Sequence, residues 1–295
     1  MSLPTRPAFE RPSAPGSRGL RRLWHFVAWL LLAYGAVLAL LWWQQERLLF
    51  MPQPLPAEYR FDVEADVHET WVEVPGARLN MLHLRLPKPD GVVFFLHGNA
   101  GNLANWFVNL DLYRRANFDL VMLDYRGYGK SSGHIESQDQ LMADVRAAWS
   151  SVAARYAGQR RVFLGRSLGT GLAAQLAAEQ QPELTALVSP YLSMQALAQE
   201  HYPWVPGGVL RYPLRTDLVL PGVHGEVLLL HGERDTLIDP GHSQRLLKLL
   251  LDPASGSKPG RPKPRLVIVA GAGHNDLQRF SAYAEALATA FKPPR

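Results

Sequence analysis

The sequence predicts an α/β domain with a mostly parallel central sheet, helices on both faces of the sheet, and one transmembrane helix ahead of it. Three observations support this prediction. Short continuous apolar runs, typical of strands buried on both faces, alternate with segments of helical periodicity. Polar residues follow directly after several of these runs, where the carboxyl ends of parallel strands meet. A long uncharged apolar segment precedes the first predicted strand.

Length and composition limit the possible functions. The chain has 295 residues, and about 250 of them follow the apolar segment, which suits one large domain. Cysteine is absent, so no disulfide framework or thiolate site is possible. The net charge of +5 is concentrated in residues 1–22, which hold five arginines and one glutamate. Because the remaining chain is nearly neutral, we expect no nucleic-acid partner.

The first 43 residues predict a tail and a membrane anchor. Residues 1–22 are rich in Pro, Ser, Gly and Arg and are predicted to be a disordered basic tail. Residues 23–43 contain no Asp, Glu, Lys or Arg, and as a helix they would extend about 31 Å, enough to cross a bilayer core. A buried core helix would usually show a polar face, and a signal peptide would have a shorter apolar region and a cleavage site. The segment therefore predicts a retained anchor.

The charges that flank this segment predict its orientation. Arg18, Arg21 and Arg22 precede it, whereas Glu46 and Arg47 follow it. The positive-inside rule then keeps the N-terminus in the cytoplasm and places the body on the other side of the membrane. The chain contains no Asn-x-Ser/Thr acceptor, which favours a bacterial inner membrane facing the periplasm over a glycosylating compartment.

The first elements after the anchor are a connector and a hairpin. Residues 44–68 are predicted to be a proline-containing connector, and the domain is predicted to occupy residues 69–295. Thr70–Val74 and Leu79–Leu86 alternate apolar and polar residues around a Pro-Gly-Ala turn. This pattern predicts an antiparallel hairpin.

Two buried strands and two helices are predicted next. Val92–Leu96 and Leu120–Leu123 are continuous apolar runs, and a helix is predicted at Leu103–Arg115 between them. After the second run, the Gly-Lys-Ser triplet at 129–131 resembles part of a phosphate-binding loop. That motif requires a glycine where this chain has Asp124, so no nucleotide site is expected. The helix that follows opens with a capping box at Ser137.

The stretch around Ser167 is the most informative one in the chain. The apolar run Val162–Leu164 leads into Gly165 and Gly169, which flank Ser167 in a G-x-S-x-G pattern. Small and apolar residues at helical spacing follow. The pattern predicts a strand, a very tight turn and a helix, with the serine hydroxyl exposed at the turn. The helix N-terminus would favour negative charge beside that hydroxyl.

The remaining elements bring two more candidate residues to strand ends. Apolar runs predict further strands at Leu184–Val188, Val227–Leu230 and Leu266–Val269. Asp235 and His274 lie in the loops directly after the last two runs. Asp239 is predicted to cap the helix between these strands, with Pro240 at its first position. A final helix is predicted at Leu277–Phe291.

Ser167, Asp235 and His274 together predict a catalytic triad. His274 would take the proton from Ser167 and return it to the leaving group, while Asp235 would hold the imidazole in the required tautomer. The backbone N–H groups of Asn99 and Leu168 are expected to receive the oxyanion. Serine alone is a poor nucleophile, so the triad prediction depends on all three residues.

Several other polar residues are alternatives for a role at these strand ends. Glu233 and Asp239 are alternative acids if Asp235 points away from the histidine. His97 and His231 each precede a glycine at a strand end and could be metal ligands, but a metal site is the less favoured interpretation. We therefore expect no metal and no cofactor.

The motifs together resemble those of the α/β-hydrolase superfamily over about residues 60–290. They are similar to a branch of single-domain serine hydrolases with an N-terminal membrane anchor, described as α/β-hydrolase-domain or serine-aminopeptidase-like proteins. The resemblance implies an α/β-hydrolase fold, with Ser167 as the nucleophile, Asp235 as the acid and His274 as the base. It is carried by the stretches FFLHGNAGN, DYRGYGKSSG, GRSLGTG, LLLHGERDTLI and GAGHND.

Two segments qualify the resemblance. The region at about 190–224 is short, whereas many relatives insert a helical cap there, so a minimal lid is predicted. Residues 252–265 form a basic Pro/Gly loop between a helix and a strand, and this loop is expected to be mobile.

The favoured function is a serine hydrolase that cleaves ester, thioester or amide bonds of a small acyl substrate through an acyl-enzyme intermediate. An acyltransferase or a membrane-lipid hydrolase would use the same triad and remains an alternative. A non-catalytic membrane-tethered binding protein would typically have lost a triad residue, and none is missing here.

Overall fold

The computed structural model describes residues 17–256 and 260–292. The chain divides after Trp43 into two units. The first contains helix α1, Ser17–Trp43. Within α1, the 25 residues Gly19–Trp43 are long and apolar enough to cross a membrane, and an 18-residue window of them has a mean hydropathy of 2.0.

The predicted N-terminal tail is corrected in part. Its residues 1–16 lie outside the described residues, but residues 17–22, also predicted to be disordered, belong to α1. Leucine and arginine are good helix formers, and adding residues to an existing helix avoids the cost of nucleation. The helix therefore begins ahead of the predicted span of 23–43.

The second unit is built on an eight-stranded sheet with a separate two-stranded pair. The strands are β1 Met51–Pro52, β2 Val67–Val74, β3 Ala77–Leu84, β4 Gly91–Leu96, β5 Ala100–Gly101, β6 Phe118–Leu123, β7 Arg160–Arg166, β8 Leu184–Val188, β9 Glu226–Gly232 and β10 Arg265–Val269. The large sheet has the order β10-β9-β8-β7-β4-β6-β3-β2. Its pairs are parallel from β10 to β6 and antiparallel from β6 to β2. The predicted mostly parallel sheet and the β2–β3 hairpin are therefore confirmed.

Helices cover both faces of the large sheet. In this unit they are α2 Gln45–Leu49, α3 Leu103–Trp106, α4 Leu110–Ala116, α5 Gln138–Ala153, α6 Leu168–Gln180, α7 Met194–His201, α8 Thr216–Val219, α9 Gly241–Leu251 and α10 Ser281–Phe291. Side chains of α5, α6 and α9 belong to one core cluster, and those of α4 and α10 belong to the other.

The central strand β4 shows why the sequence folds this way. All six of its residues are buried. Val92, Phe94 and Leu96 pack into the α5/α6 cluster, whereas Val93 and Phe95 pack into the α4/α10 cluster. Successive side chains of a strand point to opposite faces. A continuous apolar run therefore supplies both cores at once.

Helix boundaries differ from the sequence predictions at three places. The helix predicted at 103–115 is split into α3 and α4, because Asn109 adopts a left-handed conformation with φ of 58°. The helix predicted at 277–291 begins with a 3₁₀ turn at Leu277–Arg279, and α10 starts at Ser281. Asp239 accepts a hydrogen bond from Gly241 N–H, but α9 starts at Gly241 and Pro240 occupies the N-cap position. The one-residue offset at α9 is of a size that is common at helix ends, whereas the other two differences are larger.

The predicted connector belongs in part to the folded body. The compact unit starts at Gln44, not at residue 69. The buried Gln45 side chain donates to Val209 O at 3.0 Å and accepts from Arg211 N–H at 2.7 Å. Glu46 accepts from the Tyr212 hydroxyl at 2.8 Å. Helix α2 is thus hydrogen-bonded to the segment between β8 and β9, where the minimal lid was predicted.

That lid segment contains little regular structure. Between residues 190 and 224 the chain forms α7, α8 and two 3₁₀ turns, at Gly207–Val209 and Leu220–Gly222. It is joined to the body by α2 and by a hydrogen bond from Leu214 N–H to Gln138 Oε1. Residues 257–259 of the predicted mobile loop at 252–265 lie outside the part of the chain that the structure describes.

Candidate active site

Ser167 occupies the sharp turn between β7 and α6. Its backbone has φ of 50° and ψ of −120°, a combination that is unfavourable for a residue with a side chain. The two glycines of the motif permit this geometry. A Cβ on Gly169 would lie 2.0 Å from Leu96 O, and one on Gly165 would lie 2.5 Å from Gly169 O. Only glycine fits where the turn meets the neighbouring strand this closely.

The structure brings Ser167, His274 and Asp235 together in a hydrogen-bonded chain. His274 Nε2 lies 3.0 Å from Ser167 Oγ, and His274 Nδ1 lies 2.7 Å from Asp235 Oδ2. The carboxylate beside Nδ1 places the ring proton there, so Nε2 is free to accept from the serine hydroxyl. The Asp235 side chain is fully buried and that of His274 is 12% exposed, so solvent reaches the histidine but not the acid.

The environment of Asp235 keeps its carboxyl ionised. Burial alone would raise the pKa of Asp235, but hydrogen bonds from His231, His274 and the Ile238 N–H bring that pKa well below its usual range. Oδ1 accepts from Ile238 N–H at 2.9 Å and from Leu237 N–H at 3.0 Å. These bonds leave Oδ2 directed at the His274 ring.

His231 is a second buried histidine beside the acid. Its Nε2 lies 2.8 Å from Ile238 O and 3.3 Å from Asp235 Oδ2, and its Nδ1 lies 2.7 Å from Ser243 Oγ. The sequence marked His231 as a strand-end residue but not as a neighbour of Asp235. That contact depends on how the loop after β9 folds back, which no local pattern encodes.

Asn99 and Leu168 line the same cavity as Ser167. Leu168 is the first residue of α6, so its N–H is among those that have no partner within the helix. The Asn99 carbonyl accepts from Met51 N–H at 2.8 Å and from the Tyr128 hydroxyl at 2.6 Å. These two bonds fix the loop that carries Asn99, and one of them comes from the segment predicted to be a connector.

The His274 loop is held by two further contacts that the sequence did not predict. Arg166 Nη2 donates to His274 O at 3.0 Å. Asp276 Oδ1 accepts from Gly273 N–H at 2.7 Å. Arg166 is the variable residue before the serine in the motif, so its position was visible in the sequence but its partner was not.

An apolar cavity of about 260 Å³ opens beside Ser167. Helix α7 of the lid contributes Met194, Leu197 and Ala198, and α2 contributes Leu48 and Leu49. The contribution of α2 could not be predicted from the sequence, because nothing in a short apolar pair after the apolar segment indicates a pocket wall. A larger cavity of about 670 Å³ lies between α4 and α10 and is lined by none of the predicted site residues.

The other candidate residues lie apart from the Ser167–His274 pair. Asp239 accepts from Gly241 N–H, and Glu233 accepts from Gly271 N–H. His97 is fully buried among Trp106, Tyr125 and Tyr128. Within residues 17–256 and 260–292, no group of three or more His, Asp or Glu side chains is arranged to hold a metal ion.

Comparison with known proteins points to one superfamily. The family model described as serine aminopeptidase, S33, matches residues 87–212. An uncharacterized protein of Mycobacterium tuberculosis is 30% identical over 260 residues, which is 85% of this chain and 87% of that protein. Human alpha/beta hydrolase domain-containing protein 17B is 29% identical over 218 residues, covering 72% of this chain and 70% of the human one.

Solved structures show the same fold. A Pyrococcus furiosus esterase superimposes with a TM-score of 0.63 at 16% identity, over 82% of this chain and 96% of the esterase. An alpha-beta serine hydrolase homologue from Coxiella burnetii gives a TM-score of 0.57 at 16% identity, over 76% and 97% of the two chains. With these relatives and this sheet order, the chain belongs to the α/β-hydrolase superfamily and is an enzyme of that fold.

Proposed function

We propose that this enzyme is a serine hydrolase that cleaves carboxylic ester, thioester or amide bonds through an acyl-enzyme intermediate. The observation that carries the proposal is the hydrogen-bonded chain from Ser167 Oγ through His274 to the buried Asp235, with steps of 3.0 and 2.7 Å. Nucleophile, base and orienting acid within hydrogen-bonding reach are the arrangement that activates a serine.

In the first half-reaction, His274 Nε2 takes the proton of Ser167 as Oγ bonds to the substrate carbonyl carbon. The carbonyl electrons move to oxygen, and the oxyanion accepts hydrogen bonds from the N–H groups of Asn99 and Leu168. One such donor typically contributes about 3–4 kcal/mol to transition-state stabilisation. The intermediate then collapses, and the leaving group departs with the proton from His274.

In the second half-reaction, water replaces the leaving group. His274 removes a proton from water as the water oxygen bonds to the acyl carbon. The second tetrahedral intermediate then collapses, the bond to Ser167 Oγ breaks, and His274 returns the proton to Oγ as the acid is released. Asp235 stays ionised throughout and stabilises the imidazolium that forms in each half. An acceptor alcohol or amine in place of water would make the same site an acyltransferase.

The apolar cavity supports a short or medium acyl group. Its volume of about 260 Å³ is many times the space that one water molecule requires, so a short or medium acyl group fits within it. A long fatty chain would extend beyond it. The substrate class that fits best is therefore a small acyl ester or related compound rather than a bulk triglyceride.

The proposal includes a membrane location. Helix α1 is long and apolar enough to span a bilayer, and arginines precede it. By the positive-inside rule the N-terminus is cytoplasmic, and the hydrolase domain lies on the other side of the membrane. In a bacterium that side of the inner membrane is the periplasm.

The test is fluorophosphonate labelling of the purified protein, followed by a panel of acyl esters. Wild-type protein should be labelled and should hydrolyse esters, whereas Ser167→Ala should do neither and should unfold at a similar temperature. Removal of the serine costs on the order of 10⁶ in turnover in a comparable triad. Labelling that persists in Ser167→Ala would place the nucleophile elsewhere and refute the proposal.

A further inference from the structure

A second cavity, of about 350 Å³, lies beside the candidate triad. Arg166, which directly precedes Ser167, lines it, as does Asn275, which directly follows His274. The loop of Asn99 contributes the two residues that follow Asn99. The apolar cavity and this one share no lining residue in the described part of the chain, but the loops of Ser167 and Asn99 each contribute to both cavities. We call this second space the Arg166 cavity.

The Arg166 guanidinium is buried without an ionic partner. The residue is 8% exposed, and its guanidinium lies 5.4 Å from the centre of the Trp106 ring. The His274 carbonyl is its one hydrogen-bond acceptor in the described part of the chain, and no carboxylate there lies within 4.0 Å of it. A guanidinium carries five N–H donors, so most of them remain for a ligand.

This arrangement is costly unless something compensates for it. Burial lowers the pKa of Arg166, while Asp235 and Asp276 raise it only through longer-range attraction. A buried charge normally has a partner, since its loss of hydration is otherwise uncompensated. Arg166 makes one neutral hydrogen bond and one ring contact, and its other guanidinium nitrogens keep some exposure, so their N–H groups are open to water or to an anion in the cavity.

The rest of the Arg166 cavity is compatible with an anion. None of the described residues that line it is an aspartate or a glutamate. Asn105, Asn275 and Gln278 supply neutral amides, and the buried Oε1 of Gln278 has no donor among the described residues. Burial raises the pKa of Tyr283, so its hydroxyl stays neutral. A ligand with an anionic group and a polar substituent would satisfy both Arg166 and Gln278.

We propose that the Arg166 cavity binds a carboxylate or phosphate group carried by the alcohol, thiol or amine part of the acyl substrate. This inference rests on the proposed function, because it assigns the acyl group to the apolar cavity and the leaving group to the Arg166 cavity. Arg166 is the counter-ion of that anion, and its bond to His274 O keeps the guanidinium beside the histidine that protonates the leaving group.

The experiment compares butanoyl esters of three matched benzyl alcohols with full-length protein in detergent. The alcohols are 4-(hydroxymethyl)benzamide, 4-(hydroxymethyl)benzoate and 4-(hydroxymethyl)phenylphosphonate, so acyl group and ring are constant. Wild-type enzyme should have a higher kcat/KM for an anionic ester than for the neutral one. Arg166→Gln should reduce that preference by about tenfold or more, as expected for loss of a hydrogen bond to a charged group. The two anionic esters distinguish a carboxylate from a phosphate ligand.

Three further variants separate binding from folding and positioning. Arg166→Lys keeps the charge and should retain part of the preference. Gln278→Glu leaves the contact between Arg166 and His274 in place but adds a carboxylate to the cavity, so it should also remove the preference. Arg279→Gln removes an exposed positive charge outside the cavity and should leave the preference unchanged. If Arg166→Gln lowers kcat/KM equally for all three esters, Arg166 only positions the His274 loop and the proposal is overturned.

A binding measurement separates this proposal from the proposed function. Calorimetric titration with 4-(hydroxymethyl)benzoate and the phosphonate should give binding to wild type that Arg166→Gln and Gln278→Glu both lose. If no ester is turned over but this binding is seen, the hydrolase proposal fails and the anion site stands. If esters are turned over but neither anion binds, or if binding survives both substitutions, the anion site is refuted and the hydrolase remains.

Discussion

At the scale of single residues, the site depends on two residues whose backbone conformation or burial is unfavourable in free energy. Ser167 has a positive φ, and a conformation of this kind costs about 1–3 kcal/mol. Asp235 is an ionised carboxylate in a buried position. Its hydrogen bonds with His231, His274 and the Ile238 N–H offset that burial. The surrounding loops therefore stabilise a geometry that neither residue would adopt alone.

The role of Asp235 leads to a prediction with a matched control. Asp235→Asn should lower kcat by about 10⁴, because an amide can present the wrong hydrogen-bonding pattern to His274 and stabilise the wrong tautomer. Asp239→Asn should keep activity close to that of wild type, since the Asp239 side chain accepts from Gly241 N–H instead. Steady-state kinetics on one ester checks both variants. An inactive Asp239→Asn together with an active Asp235→Asn would reverse the assignment of the acid.

The pKa of Asp235 also predicts how stability depends on pH. The pKa in the folded protein lies below that in the unfolded chain, which is about 3.9. The carboxylate therefore stabilises the fold fully above the unfolded value, and this contribution falls as the pH drops through and below it. Melting temperatures of wild type and Asp235→Asn, measured between neutral and acidic pH, should converge in acid. Parallel curves would show that Asp235 has no such role.

The three candidate triad residues could be predicted from the sequence, but two contacts that support them could not. Ser167, Asp235 and His274 each follow an apolar strand. Because the carboxyl ends of parallel strands lie at one edge of the sheet, the sequence predicts that these three residues lie close together. The contacts of His231 with Asp235 and of Arg166 with His274 are formed between loops of different strands. Their partners depend on loop conformation, which apolar periodicity does not describe.

At the scale of elements, the segment after α1 does more than link that helix to the domain. Helix α2 supplies part of the apolar cavity, and β1 pairs with β5 next to the loop of Asn99. The sequence predicted the parallel strands because their apolar runs are continuous, and the β2–β3 hairpin because its apolar and polar residues alternate. It did not predict β1, which is two residues long, or the break at Asn109, because both depend on local backbone conformation rather than on periodicity.

The wall of the apolar cavity predicts a change in acyl preference. Ala198 lies on α7 and lines the cavity, so Ala198→Trp should fill part of it. Hydrolysis of hexanoyl and octanoyl esters should fall by tenfold or more relative to acetyl esters, since overpacking a filled space is unfavourable by about 1–3 kcal/mol. Gln199→Trp, at an exposed position on the same helix, should leave the profile unchanged. A chain-length profile measured with purified protein checks both variants.

The dependence of the wild-type rate on acyl chain length tests the same cavity. Rates should be highest for short or medium acyl esters and should decrease for long chains, which exceed a volume of about 260 Å³. A rate that climbs steadily from short esters to long-chain lipids would contradict this prediction. It would instead favour the membrane-lipid hydrolase that the sequence left as an alternative.

At the scale of the whole molecule, one apolar helix is joined to a hydrolase-fold domain. The sequence alone was sufficient for the fold class, because eight of the domain's strands form one sheet whose central runs are uniformly apolar. It was less informative about where the domain begins. Prolines between residues 52 and 56 indicated a connector, yet the folded unit already starts at Gln44. The hydrogen bonds that join this segment to the domain are made by isolated polar side chains such as Gln45, which no sequence pattern marks.

The orientation of the chain in the membrane is the last prediction. Arg18, Arg21 and Arg22 precede the apolar span, and positive charge resists transfer across the inner membrane. Alkaline phosphatase, which is active only outside the cytoplasm, should therefore be active when fused after Arg295, whereas green fluorescent protein exported at the same position should stay dark. Replacing the three arginines with glutamine should weaken this asymmetry. An inactive alkaline phosphatase fusion together with a fluorescent green fluorescent protein fusion would indicate the opposite orientation. A shortened soluble product would identify the span as a cleaved signal peptide.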